Sequence, residues 1–84
     1  MYRKNKEFFI EALKGFKISD LDDTGAKPYY YGYQNIFGNW YIMEETASTF
    51  RFVYGDEDYA SAWSGRALAT YTLFATAFAE FKEE

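Results

Sequence analysis

The chain has 84 residues, a formal net charge of −4, and neither cysteine nor histidine. A chain this short buries only about 60% of its unfolded surface, so one core is the limit. The missing residue types exclude disulfides, Cys/His zinc centres and histidine-based nucleophilic catalysis. In place of such staples stand nine Phe, nine Tyr and two Trp, 24% of the residues, each able to bury about 150–250 Å².

In chain order, Met1-Tyr2-Arg3-Lys4 leads straight into amphipathic sequence, without the apolar run of about 7–15 residues of a secretory signal, so no export is expected. Over 5–13, Phe8, Phe9, Ala12 and Leu13 recur at helical spacing ahead of Gly15, predicting a short amphipathic helix. Residues 1–17 hold five basic side chains against Glu7 and Glu11, a net of +3 that leaves −7 for the acidic body. Phe16-Lys17-Ile18 reads as a brief strand, and the breaker-rich stretch 19–28 as an exposed loop.

Three segments, 29–36, 39–45 and 49–54, are dense in aromatic and β-branched residues and separated by turn sequence. They predict a three-stranded antiparallel β-meander. In the last, Phe50, Phe52 and Tyr54 alternate with Thr49, Arg51 and Val53, so the two sets point to opposite faces, and Phe50 and Phe52, with Trp63, Phe74, Phe78 and Phe81 further on, are expected in the core.

Beyond Gly55, Asp56 fits a helix N-cap with Glu57 and Asp58 in the first turn. The spacing of Trp63, Ala67, Tyr71, Phe74, Phe78 and Phe81 predicts one long C-terminal helix, running to about Lys82, whose apolar stripe packs on the sheet. Its back would carry the small residues Ser61, Gly65, Thr72 and Thr76, open to close packing by the N-terminal helix, by a partner or by a second copy of the chain. The longest uncharged run, 67–79, falls short of the roughly 20 residues that span a bilayer, so no membrane partner is expected. The fold class expected is a single α+β domain over 1–84: short N-terminal helix, three-stranded meander, long C-terminal helix.

The segment Asp20-Leu21-Asp22-Asp23-Thr24 resembles the Asp-x-Asp-x-Thr signature of haloacid-dehalogenase-like phosphatases. The resemblance implies Asp20 as nucleophile, Asp22 as general acid/base and Mg²⁺ nearby, with Asp56-Glu57-Asp58 as a later acidic metal site. That family's parallel sheet needs repeated crossovers of a dozen or more residues, for which 84 residues leave no room. The residues therefore read as an Asp-rich loop whose side chains cap turns. The same segment is similar to the opening of an EF-hand loop, but Tyr31 stands where the bidentate Glu belongs. No Ser-x-x-Lys spacing or Gly-rich phosphate loop occurs. An enzyme, a metal and a cofactor are accordingly not expected. Direct nucleic-acid binding is disfavoured too, since the strands and long helix carry only Arg51, Arg66 and Lys82 as cations.

What remains is protein binding. Acidic clusters at Asp20, Asp22 and Asp23, at Glu44 and Glu45, and at Asp56, Glu57 and Asp58 would steer toward a basic partner. Tyr29, Tyr30, Tyr31, Tyr33 and Tyr41 lie on adjacent strands and cannot all point inward. Tyr29, Tyr31, Tyr33 and Tyr41, with the acidic residues, are the expected contact residues. In size, acidity and lack of Cys the chain resembles the small phage-encoded inhibitors of bacterial defence systems, the anti-CRISPR proteins among them. That resemblance implies a cytoplasmic, non-catalytic inhibitor acting on a nuclease or guide-RNA effector complex inside the bacterial host. The alternative is a small assembly subunit, such as a homodimer formed through the C-terminal helix.

Overall fold

The computed structural model describes residues 14–79. Four antiparallel strands, β1 (Lys17–Asp22), β2 (Tyr29–Gln34), β3 (Trp40–Glu45) and β4 (Phe50–Gly55), lie side by side in chain order. Two turns fix their register. Between β2 and β3, the Asn35 side-chain oxygen accepts hydrogen bonds from the Phe37 and Asn39 amides at 3.0 and 3.1 Å, and Gly38 takes the φ of +86° that closes the turn. Between β3 and β4, the Thr46 hydroxyl accepts from the amides of Ser48 and Thr49.

The resulting pairing sorts side chains onto two faces. On the first lie Asp20, Asp22, Tyr30, Gly32, Trp40, Ile42, Glu44, Arg51, Val53 and Gly55; on the second lie Ile18, Leu21, Tyr29, Tyr31, Tyr33, Tyr41, Met43, Glu45, Phe50, Phe52 and Tyr54. The register of β1 shifts between Ile18 and Asp20, a bulge that keeps Ile18 and Leu21 on the same face. The sequence alternation of Phe50, Phe52 and Tyr54 against Arg51 and Val53 is thus observed.

After β4 the chain forms α1 (Tyr59–Ser64), a 3-10 turn (Arg66–Leu68), an extended stretch and α2 (Phe74–Ala77). Tyr59, Ala62 and Trp63 of α1, with Tyr71 beyond it, pack on Tyr30, Trp40 and Ile42 of the first face, and Ile42 is fully buried. Burial of one such side chain contributes about 1.5–3 kcal/mol. Two glycines make this close approach work. A Cβ on Gly32 would run into the Tyr59 hydroxyl, and one on Gly55 into the Trp40 indole. On the second face Phe78 packs against Tyr41, Phe52 and Tyr54.

The expected architecture therefore needs correction. The sheet has four strands, because residues 19–22 continue Lys17-Ile18 as strand rather than loop, with Phe16 just ahead of it; pairing with β2 satisfies its backbone. The long C-terminal helix does not form. Gly65 caps α1, Ala69 and Leu73 are extended, and Thr72 pairs with Phe52 as an isolated bridge. The physical reason is that the sheet is apolar on both faces, and one straight helix can cover only one. Breaking the helix sends Trp63 and Tyr71 to the first face and Phe78 to the second. The small residues Ser61, Gly65, Thr72 and Thr76 accordingly share no helix face.

The cap differs as well: Asp58, not Asp56, precedes α1, in the left-handed region at φ 58° and without a side-chain cap bond. Phe50 and Phe74, expected in the core, are 53% and 60% exposed. The helix expected over 5–13, and Phe81 and Lys82, lie outside the described residues. Among the described residues, no helix is long and apolar enough to cross a membrane.

Candidate functional site

The structure separates the expected contact residues into three groups. On the first face, the acidic groups are engaged within the chain. Asp20 accepts a hydrogen bond from the Tyr59 hydroxyl at 2.9 Å. Asp22 binds the Arg66 guanidinium, with Nε and Nη2 both 3.1 Å from one oxygen. Arg66 also donates to the Trp63 carbonyl at 2.8 Å and stacks 4.4 Å from the Trp63 ring. Glu44 is buried and accepts from Nε and Nη2 of Arg51 at 3.1 and 2.8 Å. Asp20 and Asp22 tie α1 and the 3-10 turn to β1, and Glu44 ties β3 to β4. Among the described residues, no group of three or more acidic side chains is placed to hold a metal ion.

Asp56, Glu57 and Asp58 form the exposed turn from β4 to α1. They sit at the Trp40 end of the sheet, where the Glu57 carbonyl accepts the Trp40 indole N–H at 2.8 Å. Exposed Asp23 lies at the opposite end, just beyond β1. The acidic clusters therefore make no single patch.

The tyrosines do come together. Tyr29, Tyr31, Tyr33 and Tyr41 all lie on the second face, with Tyr33 and Tyr41 directly paired across β2 and β3 and their rings stacked at 4.6 Å and 20°. Phe16 and Phe78 meet the Tyr41 ring edge-on at 4.9 and 5.7 Å, and burial raises the Tyr41 pKa. This end of the face is a packed aromatic cluster.

The other end is open and mixed. Tyr29, Glu45 and Phe50 form one cross-strand row on β2, β3 and β4, with Tyr31 on the diagonal. The Tyr31 hydroxyl donates to Glu45 Oε1 at 2.7 Å, and the Lys27 ammonium lies 3.2 Å from Oε2 and 5.8 Å from the Tyr29 ring centroid. The hydrogen bond from Tyr31, then the hydrogen bond and charge of Lys27, hold the Glu45 carboxyl below its ordinary value of 4.5. In return the bond to Glu45 pushes the Tyr31 phenol up to about 12. Both groups keep their charge states at neutral pH: Tyr31 is a donor and Glu45 an anion.

Ile18, Leu21 and Phe50 on this face are each about half exposed, at 52, 54 and 53%. Sequence reasoning placed Phe50 in the core and did not single out Lys27. The four-residue connection between Glu45 and Phe50, which makes them partners, was the available signal. Chemically, the face offers apolar contact, stacking and one carboxylate set among rings. Comparison of the chain with known protein families, with curated proteins and with solved structures finds no match in any of the three.

Proposed function

We propose that this chain is a non-catalytic protein-binding module that captures its partner on the second face of the sheet, at the Tyr29–Glu45–Phe50 end. The observation that carries the reading is the half exposure of Leu21 and Phe50 beside the rings of Tyr29 and Tyr31 and the anionic Glu45. Rings flanked by a polar group are the side chains that dominate protein interfaces. A net charge of −4 favours encounter with a basic partner. In its specific form the proposal is an inhibitor of a nucleic-acid-handling complex of bacterial defence, in line with the small acidic phage inhibitors that the chain resembles.

The test is affinity capture from bacterial lysate with the wild-type chain and with a Leu21→Lys, Phe50→Lys variant. These side chains are exposed, so the variant is expected to retain the wild-type circular dichroism spectrum. The expected result is recovery of a nuclease, helicase or guide-RNA protein by the wild type and its loss with the variant. Recovery of no such protein, or equal recovery by a folded variant, overturns the reading.

A further inference from the structure

We propose that the row Tyr29–Glu45–Phe50, with Tyr31 behind it, is a receptor site for a cationic side chain, arginine or lysine, of the protein partner, and that Lys27 is its own intramolecular occupant. The inference rests on the protein-binding reading and names the chemistry of that site.

Three features make the row suited to a cation. The carboxylate is fixed: Glu45 is set between Tyr29 and Phe50 by the pairing of three strands, and its Oε1 is held by Tyr31 at 2.7 Å. A pre-oriented anion loses little freedom when it receives a partner's charge. The flanking groups are also right, because Tyr29 and Phe50 place a ring on each side of the anion, and ring faces attract ammonium and guanidinium groups within about 6 Å. The third feature is that a cation already sits there. Lys27 Nζ lies 3.2 Å from Glu45 Oε2 and 5.8 Å from the Tyr29 centroid.

Lys27 is a weak occupant. It comes from the exposed connection between β1 and β2, and its side chain stays 40% exposed. An ion pair this open to solvent is only marginally stable. It contacts the Tyr29 side of the row, while Phe50 is 53% exposed on the other. A guanidinium from outside, planar and able to stack on a ring while binding a carboxylate, can displace Lys27 and engage both. Lys27 then acts as a placeholder that screens Glu45 in the free protein and competes with the incoming cation.

The test uses the full chain and small probes, so it needs no partner. N-acetyl-arginine methylamide and N-acetyl-lysine methylamide are titrated against the wild type, Lys27→Ala and Lys27→Ala/Glu45→Gln, with the Tyr29, Tyr31 and Phe50 ring protons followed by NMR. Lys27→Ala is expected to show saturable shifts with one or both probes and to bind about threefold tighter than the wild type, the scale of one exposed ion pair. The double variant is expected to lose binding while its amide spectrum stays folded. Absence of saturable ring shifts in Lys27→Ala, or equal binding by the double variant, overturns the proposal. Loss of lysate capture together with intact probe binding would instead count against the protein-binding reading alone.

Discussion

Phe52 and Thr72 exchange two backbone hydrogen bonds, Phe52 N to Thr72 O at 2.6 Å and Thr72 N to Phe52 O at 2.9 Å. They form the isolated bridge beyond the edge of β4. Tyr71, immediately before it, is buried in the cluster on the first face, and Phe78, shortly after it, is buried on the second. The bridge is thus where the C-terminal segment passes around the sheet edge, and it also caps backbone groups that an edge strand would otherwise leave open.

Replacing Thr72 by Pro removes the donor to Phe52 O and is expected to lower stability by about 1–3 kcal/mol, the cost of an unsatisfied backbone acceptor plus a backbone mismatch. Thr72→Val keeps both backbone bonds and should be the milder change. Urea unfolding of the two variants measures the difference. Equal midpoints would mean that the bridge does not hold the crossover.

Gly32 and Tyr59 form a second coupled pair. A methyl group on Gly32 would meet the Tyr59 hydroxyl and, at 3.0 Å, the Trp63 ring, so Gly32→Ala should cost about 1–3 kcal/mol by overpacking. Tyr59→Phe loses the bond to Asp20 and should cost about 1 kcal/mol. Combined, the two should cost less than their sum, because removal of the hydroxyl vacates space that the methyl needs. An additive double-mutant cycle would show that the methyl is accommodated by movement elsewhere.

Glu45 gives a pair of shifts that NMR can check directly. Its carboxyl is lowered first by the Tyr31 hydrogen bond and second by Lys27. Tyr31→Phe and Lys27→Ala should each move the Glu45 titration up toward 4.5. The sign for stability follows: a depressed carboxyl supports the fold above its unfolded pKa, and that support is lost as pH falls through the folded value. A Glu45 titration left in place by either variant would show that the contact removed does not hold the carboxylate.

These particular residues show what was legible in the chain. The alternation of Phe50 to Tyr54 and the grouping of the meander tyrosines follow from period-two geometry, and the structure has both. The C-terminal stripe was misleading because its spacing satisfies a helix, while the burial of Trp63, Tyr71 and Phe78 is divided between opposite faces of the sheet, a division that helical spacing does not encode. Thr72 pairs with a strand twenty residues earlier, a tertiary contact that overrides helical spacing. Asp20 and Asp22 look like a loop by composition, yet Tyr59 and Arg66, 39 and 44 residues away, bond them. The Glu45 site was half visible: Tyr29, Tyr31 and Glu45 are the residue types of an interface, but joining them to Lys27 and Phe50 requires the strand register.

The phenols carry the last prediction. Burial first, and Asp20 second, push the Tyr59 pKa well above 10.0, and burial does the same for Tyr71. Tyr30 is raised by burial and then by Glu44, and Tyr31 titrates at about 12 because of its bond to Glu45. Each of these groups has a folded pKa above its unfolded value near 10.0. Their contribution to stability is therefore complete below pH 10 and is lost as pH rises through the folded values, since the unfolded chain releases protons that the folded chain keeps. Stability to denaturant should fall as pH climbs above 10. Phenolate absorbance from these groups should appear only above pH 10, in a late stage that merges with loss of the fold. In denaturant the same chain should titrate as one class near 10, and Tyr71→Phe should remove one equivalent from the late stage. A single native transition coincident with that of the unfolded chain would refute the buried, hydrogen-bonded placement of these tyrosines.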